Sequence, residues 1–351
     1  MTTQSIKASR AAAMGERIKR ATLETLWRAY TGENSGILIV VVLGTIVGFS
    51  LYLRDTDYLT ADNMLSIVRQ TTAITVMAVP TVFVIASREL DLSFAAVVPV
   101  SGFVAALLLE SHNMIVAVAA SIGIGVAVGL FNGLVTVWFK IPSFVVTLGS
   151  MGVLNGLSLR ITDSQAVSVS NRTFLDIFGA GSIGPVPSLL IWAVVIVALG
   201  HFVLTQTATG RGLLATGANE KAARYSGIRV TRMKVGALVA SGVGGSLAGL
   251  LYVGQFAAAS YTLGGSDLLT VIAAVIIGGT ALAGGKGSVI GALIGSLLIG
   301  TLNNGLVIIG LANPEQLMVR GVIIIAAVIF SARTVRNRRR PASLGGDPSV
   351  T

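Results

Sequence analysis

The chain has 351 residues, of which 53% are apolar and only 11% charged, with a mean hydropathy of +0.83. Soluble domains carry roughly 25% charged residues, so this composition excludes an ordinary soluble protein and predicts a membrane protein. The absence of cysteine excludes disulfides and cysteine-ligated metals. The net charge of +10 does not indicate nucleic-acid binding, because the Lys and Arg residues lie in tails and short loops without interleaved aromatic residues.

Ten apolar stretches are long enough to cross a bilayer, which predicts an all-α polytopic fold. We expect a cytoplasmic tail at 1–35, a transmembrane domain at 36–332 and a basic, disordered cytoplasmic tail at 333–351. Eight spans are the alternative, if one glycine-rich pair is re-entrant. The predicted spans are Gly36–Leu53, Asn63–Ala86, Leu92–Leu109, Met114–Phe139, Ser143–Leu159, Pro187–Leu204, Val235–Phe256, Asp267–Ala283, Ser288–Leu311 and Gln316–Ala332.

The distribution of positive charge agrees with ten spans. With that count, one side of the membrane receives 20 of the 25 Lys and Arg residues. Loops rich in Lys and Arg remain in the cytoplasm, so both termini are predicted to be cytoplasmic. The opposite side receives only Arg54, Arg160 and Arg172.

Glycines recur at helical spacing in two of the predicted spans. Such rows let helix backbones approach closely in lipid, so they predict tightly packed helix pairs. The rows are Gly125, Gly129 and Gly133 in one span, and Gly287, Gly291 and Gly295 in another. Asn132-Gly-Leu-Val and Asn304-Gly-Leu-Val are also repeated in spans of opposite direction, which suggests an inverted repeat of two halves.

A polar stretch at 207–234 interrupts the apolar sequence and carries six Lys or Arg residues. Within it, residues 218–226 are expected to form a short helix that follows Gly217 and ends at Gly227. Glu220 in its first turn and Arg224 near its end suit the helix dipole. This helix is either a turn in an ordinary loop or a rigid docking element for a soluble partner.

Three motifs favour the docking interpretation. They are Gly217-Ala-Asn-Glu-Lys-Ala-Ala-Arg-Tyr-Ser-Gly-Ile228, the block Ile272–Gly291 followed by Asn303-Asn304-Gly305, and Asp91-Leu92-Ser93. Together they resemble permeases of ATP-binding-cassette importers, in the branch that takes up sugars such as ribose. The residues flanking Asp91-Leu92-Ser93 depart from the pattern usual in that branch, which leaves the substrate open.

The resemblance implies a type II importer architecture in the bacterial inner membrane. It implies two ABC ATPase subunits, a periplasmic or lipid-anchored substrate-binding protein, and a second permease copy, expected to form a homodimer within the membrane lipid. The permease itself is not an enzyme and carries no cofactor. The coupling residues that the resemblance assigns are Gly217, Ala218, Asn219, Glu220, Ala222, Ala223, Arg224, Ser226 and Gly227.

The residues themselves supply no catalytic or metal site. The segment Ala283-Gly-Gly-Lys-Gly-Ser288 fails as a phosphate-binding loop because Gly287 replaces the required Ser or Thr. Polar residues within spans usually face an interior or a watery path, although each could instead serve helix packing. The candidates for the translocation path are Arg69, Gln70, Asn155, Asn303, Asn304 and Arg320.

Three alternatives remain open at this point. A permease of the same superfamily for branched-chain amino acids or nucleosides is the nearest. A secondary transporter is less favoured, because no carboxylate for ion coupling is evident in the middle of a span. A structural membrane scaffold is the third.

Overall fold

The computed structural model describes residues 35–54, 57–312, 314–322 and 325. Both predicted tails lie outside these residues, apart from Ser35. The described chain is mainly helical, and residues 314–322 are also helical. In chain order the helices are α1 Ser35–Tyr52, α2 Ala61–Ala86, α3 Phe94–Ser111, α4 Met114–Phe139, α5 Ser143–Ile161, α6 Arg172–Phe178, α7 Ser188–Gln206, α8 Ala208–Ala218, α9 Glu220–Tyr225, α10 Val230–Phe256, α11 Asp267–Ile277 and α12 Val289–Ile308.

Within the described residues, seven helices are long and apolar enough to cross a membrane: α2, α3, α4, α5, α7, α10 and α12. They confirm seven of the predicted spans to within a few residues at each end. α1 supplies a further apolar helix of 18 residues, and the predicted tenth span is described only in part. The count of ten therefore stays a prediction.

The centre of the fold is α10, which packs against α2, α3 and α4. The first glycine row makes the contact with α4 possible. A Cβ at Gly125 would lie 2.2 Å from the carbonyl oxygen of Gly242, and one at Gly129 would lie 2.5 Å from that of Leu238. The prediction of close helix packing at this row is confirmed.

The second glycine row lies along the start of α12 and the residues just before it, and it forms the close packing that was predicted. A Cβ at Gly291 would lie 1.8 Å from the carbonyl oxygen of Gly278, and one at Gly295 would lie 2.2 Å from that of Ala274. α11 therefore crosses α12 at backbone contact.

The predicted helical span Asp267–Ala283 is wrong in its second half. α11 ends at Ile277 after 11 residues, about 16 Å at 1.5 Å per residue, whereas the hydrocarbon core is about 30 Å thick. Gly279 has a φ of +90°, which ends the helix, and the chain continues through turns to Ser288. Non-helical backbone at membrane depth is tolerated only where protein or water covers it, and Thr280 in this segment is fully buried.

The predicted helix 218–226 is also shorter than expected. Asn219 has extended backbone angles and separates α8 from α9. The sequence reasoning missed α8 because its residues lie in a polar stretch with little periodicity. The inverted repeat stays a prediction.

Two short antiparallel strand pairs lie at one end of the bundle. β1 (Val167–Ser168) pairs with β4 (Ala258–Ala259), and β2 (Ser182–Ile183) pairs with β3 (Val186–Pro187). This end also carries α6, and we call it the opposite face. The other end carries α8 and α9, and we call it the basic face.

Candidate functional site at the basic face

The basic face contains most of the positive charge of the described residues. The loops and helix ends there carry Arg88, Lys140, Arg211, Lys221, Arg224, Arg229, Arg232, Lys234 and Lys286, whereas Arg54, Arg160 and Arg172 lie on the opposite face. The division of charge predicted from the sequence therefore corresponds to two ends of one bundle.

Local capping interactions define α9. The side chain of Asn219 accepts a hydrogen bond from the backbone N–H of Ala222 at 3.1 Å, which caps the helix start. Gly227 has a φ of +81° and ends the helix, as predicted. The backbone N–H of Ile228 then donates to the carbonyl of Ala223 at 3.0 Å, which turns the chain back toward α10.

A chain of ion pairs fixes α9 to the bundle. Lys234 at the start of α10 contacts both Glu89 and Glu220 at 2.8 Å, and Glu220 contacts Arg224 at 3.0 Å. The side chain of Glu89 is only 8% exposed and that of Lys234 19%, whereas Glu220 is 44% exposed. The chain of ion pairs therefore runs from the buried pair Glu89–Lys234 at the α2–α3 turn to the exposed pair Glu220–Arg224 on α9.

The same contacts shift the titration of Glu220. The hydrogen bond from Lys234 is the main cause that lowers the pKa of this carboxyl below its ordinary value, and partial burial opposes it. Arg224 lowers it further. Glu220 is therefore ionised throughout the neutral range, and the link between α9 and α10 stays charged.

Glycines bring α8 into backbone contact with two other segments. A Cβ at Gly217 would lie 1.8 Å from the carbonyl oxygen of Ala86, which itself accepts a hydrogen bond from the N–H of Gly285 at 2.9 Å. Gly284 and Gly285 both have positive φ, so their turn can fold against α8. Two of the motifs singled out in the sequence thus meet in space.

A cavity of about 550 Å³ lies between α9, the start of α10 and the α4–α5 turn. Its walls include Thr136, Lys140 and Thr231 together with the four residues of the ion-pair chain. Charged groups of both signs therefore surround it.

The assigned coupling residues divide into two groups. Gly217 and Ala223 are buried and hold the segment in place, whereas Ala218, Asn219, Glu220, Ala222, Arg224, Ser226 and Gly227 are exposed. The sequence reasoning omitted Tyr225, which is 91% exposed. An exposed aromatic residue is typical of interface hot spots, and its place in the motif was the available signal.

The Asp91-Leu92-Ser93 motif forms a buried hydrogen-bonded turn. One carboxylate oxygen of Asp91 accepts from the N–H of Ser93 at 2.7 Å and from its hydroxyl at 2.6 Å. Asn132 on α4 donates to the Ser93 hydroxyl at 2.8 Å and accepts from Ser150 on α5 at 2.5 Å. Burial raises the pKa of Asp91, and the bonds to Ser93 oppose that rise. The turn therefore joins the start of α3 to residues within α4 and α5.

The candidates for the translocation path do not form one group. Arg69 and Gln70 are exposed on α2, and Asn155 is exposed on α5, which packs mainly against α3 and α4. On α12, Asn304 exchanges two amide hydrogen bonds with Asn63, at 2.8 and 3.0 Å, and Asn303 accepts from the guanidinium of Arg320 at 2.8 Å. Their role in transport stays a prediction.

The comparison with protein families identifies the chain. Residues 63–328 match the family described as the branched-chain amino acid transport system / permease component. The chain belongs to this permease family. No solved structure matches the chain.

Known permeases match nearly the whole chain. Ribose import permease protein RbsC of Escherichia coli K12 is 35% identical, over 86% of this permease and 94% of its own length. L-arabinose ABC transporter permease protein AraH of Azospirillum brasilense is 33% identical over 88% and 90% of the two chains. D-allose transport system permease protein AlsC of E. coli K12 is 34% identical over 82% and 88%.

The permease also carries polar groups that the sequence reasoning missed. The hydroxyl of Tyr252 on α10 donates to the carboxylate of Asp267, the first residue of α11. Asp267 is the first residue of the predicted span Asp267–Ala283, so it is not among the charged residues predicted within spans. Among the described residues, no group of three His, Asp or Glu side chains could hold a metal ion.

Proposed function

We propose that this chain is the membrane permease subunit of an ATP-driven importer that takes up a monosaccharide. The family match and the import permeases named for ribose, L-arabinose and D-allose carry this proposal. The permease is a transport subunit, and a separate ATPase subunit hydrolyses ATP. Branched-chain amino acids are the nearest alternative substrates, because the family description names them.

The basic face lies in the bacterial cytoplasm, and both termini are on that side. Its excess of Lys and Arg over the opposite face supports this orientation under the positive-inside rule. Residues 36–332 form the permease domain of the inner-membrane protein, and 1–35 and 333–351 are cytoplasmic tails. Arg69 and Gln70, exposed within α2, belong to the path through the membrane.

α9 is the coupling helix that binds the ATPase subunit. Lys221, Ala222 and Tyr225 form its exposed surface, and the ion pairs of Glu220 fix its opposite side to the bundle. A displacement of α9 is therefore passed directly to α10 and, through Glu89, to the end of α2. These are the two most central spans, so closure of the ATPases changes the packing of the whole bundle.

The remaining partners follow from the two faces. The substrate-binding protein docks on the opposite face, where solute enters, and a second copy of the permease completes the path within the lipid. The apolar surfaces of α4, α5 and α7, which are exposed in one copy, provide the lipid and partner contacts.

Charge reversal and bulk on α9 test this function. Glu220→Arg places a third cation beside Lys234 and Arg224, and Ala222→Trp adds a large side chain to the surface that contacts the ATPase. We expect both variants to insert into the membrane at wild-type levels and to lose monosaccharide uptake with the reconstituted ATPase and binding protein. Glu110→Arg, which reverses an exposed charge on the opposite face, serves as control and retains binding of the ATPase.

Normal uptake in both variants would contradict the coupling role of α9.

The energy source of uptake separates an ATP-driven importer from the other classes of function. An ATP-driven importer loses uptake when ATP is depleted and keeps it when an uncoupler collapses the proton gradient, whereas a secondary transporter does the reverse. A purified chain without a stoichiometric ATPase partner would indicate a scaffold.

A further inference from the structure

Four polar side chains from four helical segments meet in the half of the bundle next to the opposite face. The hydroxyl of Tyr252 donates to Asp267, and the Nε of Arg320 donates to the side-chain oxygen of Asn303 at 2.8 Å. Arg320 also lies near enough to Asp267 and Tyr252 for its charge to act on both side chains. α10, α11, α12 and the helical residues 314–322 each contribute one member of this group, which we call the outer polar cluster.

The outer polar cluster lies inside the membrane rather than in the loops. Tyr252 is four residues before the end of α10, and Asn303 is five residues before the end of α12. At 1.5 Å per residue they lie about 6 to 8 Å below the ends of these helices. Asp267 connects directly to the loop of the opposite face, so the cluster is close to where solute would enter.

The exposure of the cluster shows what kind of surroundings it needs. Asp267 is buried, whereas Tyr252, Asn303 and Arg320 are partly exposed on the single chain. A guanidinium that faced hydrocarbon at this depth would be strongly destabilised, so charged residues within spans face water, protein or each other. The surface formed by Asn303 and Arg320 therefore borders an aqueous path or a second copy of the chain.

The cluster still has unused hydrogen-bonding capacity. Within the described part of the chain, the two terminal nitrogens of Arg320 and the amide nitrogen of Asn303 make no hydrogen bond. The second oxygen of Asp267 has only a 3.4 Å contact with Ser266. The guanidinium and the amide nitrogen offer donors and the carboxylate offers an acceptor, a combination that suits the paired hydroxyls of a sugar.

An aromatic surface adjoins these polar groups. The rings of Tyr252 and Phe256 are stacked with centroids 6.0 Å apart, and Phe256 is 58% exposed. The C–H face of a pyranose or furanose can pack on such rings while its hydroxyls reach the polar atoms. The site holds one carboxylate, Asp267, and one guanidinium, Arg320, so it carries no excess charge that would select an ammonium group.

We propose that the outer polar cluster is a monosaccharide-binding site in the outer half of the translocation path, where the permease receives its substrate. This inference rests on the proposed function, because it assumes that the solute is a sugar. Arg320 and Asn303 bind the hydroxyls, Asp267 accepts from one of them, and Tyr252 holds Asp267 in position.

The absence of cysteine in the chain allows a direct test of this site. Asn303→Cys is reconstituted with the complete importer and labelled from the opposite face with a charged, membrane-impermeant methanethiosulfonate. We expect labelling of this cysteine, and slower labelling in the presence of D-ribose, L-arabinose or D-allose. Val194→Cys, which is more exposed than Asn303 but lies in the apolar helix α7, is the control and stays unlabelled.

Several results would overturn the site. Absence of labelling at Asn303→Cys, labelling that no sugar slows, or protection by L-leucine alone would each exclude a monosaccharide site there. Monosaccharide uptake by the wild-type permease is measured in parallel vesicles. Absence of that uptake would contradict the proposed function, independently of the labelling result. If a sugar slows labelling but is not taken up, the binding site is supported and the proposed coupling of this chain to an ATPase is contradicted.

A second variant measures the contribution of Arg320 to transport. Arg320→Gln should lower monosaccharide uptake about tenfold, as expected when a charged hydrogen-bond donor to substrate is lost, while ATP hydrolysis stimulated by the binding protein stays within about twofold of wild type. Arg320→Lys should restore part of the uptake. An equal fall of uptake and ATP hydrolysis would instead indicate a purely structural role and contradict the proposal.

Discussion

The two faces of the bundle are held together by different interactions. At the basic face, ion pairs and backbone contacts at Gly217 connect α2, α8, α9 and α10. At the opposite face, the contacts are mainly neutral: a two-residue strand pair, the stacked rings of Phe178 and Trp192 at 5.3 Å, and the amide pair of Asn63 with Asn304. Charge and backbone contact therefore hold the basic face, as the proposed coupling role of α9 requires, whereas the opposite face leaves polar groups available.

The spans also differ in how deeply they are buried. In α2, 83% of the most apolar window is buried in the bundle, compared with 17% in α5. The ion pairs of α9 lead to α2 and α10, which are central, and not to the peripheral helices. A displacement at the basic face therefore acts on the core of the bundle, where packing density makes small shifts consequential.

The largest effect is expected from Gly217→Ala. The new Cβ would lie 1.8 Å from the carbonyl oxygen of Ala86, and no change of rotamer can relieve a clash with backbone. We expect a loss of about 1–3 kcal/mol or more in stability and loss of uptake. Thermal unfolding of the detergent-purified permease and vesicle uptake measure the two effects.

Gly236→Ala is the matched control for that prediction, because a Cβ at this α10 position meets no atom within 4 Å. It should leave stability unchanged or raise it by up to about 1 kcal/mol. Gly254→Ala extends the comparison to the opposite face, where the Cβ would lie 2.5 Å from the backbone of Phe178. This variant should unfold more easily yet still bind the ATPase. Equal loss of ATPase binding in Gly217→Ala and Gly254→Ala would contradict the distinction between the two faces.

Lys234→Met is expected to be nearly as damaging. It leaves Glu89, which is 8% exposed, without its partner, and a buried polar group left unpaired costs about 1–3 kcal/mol. The double variant with Glu89→Met should recover part of that loss, because no buried charge remains. Lys286→Met, an exposed lysine of the same face, should leave thermal unfolding almost unchanged. A double variant no more stable than Lys234→Met would refute the role of the buried pair.

The smallest effect concerns pH. The folded state lowers the pKa of Glu220, mainly through the hydrogen bond from Lys234. Its contribution to stability is therefore complete above the pKa of an unfolded glutamate and disappears as pH falls through the lowered value. Because Glu220 is 44% exposed, solvent screening limits the contribution to less than about 1 kcal/mol. The stability difference between wild type and Glu220→Gln, measured against pH, should shrink in acid; a constant difference would contradict the charged link.

Local composition made much of this protein predictable. Hydrophobic length and the position of Lys and Arg are properties of single segments, so seven spans and the basic face followed from the sequence. Gly227 and the glycine rows were also predictable, because a positive φ or a close helix contact requires glycine. Asn219 was placed inside a helix instead of at its start because its cap depends on backbone angles that the sequence leaves open.

The tertiary structure decided everything that joins distant segments. The break after Ile277 depends on the contact of Gly278 with α12, and the ion-pair chain depends on the α2–α3 turn reaching Lys234. The outer polar cluster joins residues from 252 to 320, and none of them has a partner of complementary charge in its own segment. The sequence determined which segments enter the membrane and which side is positive, because transfer from water to lipid acts on each segment alone. Only packing determined which polar groups meet, because that depends on how all the helices are arranged together.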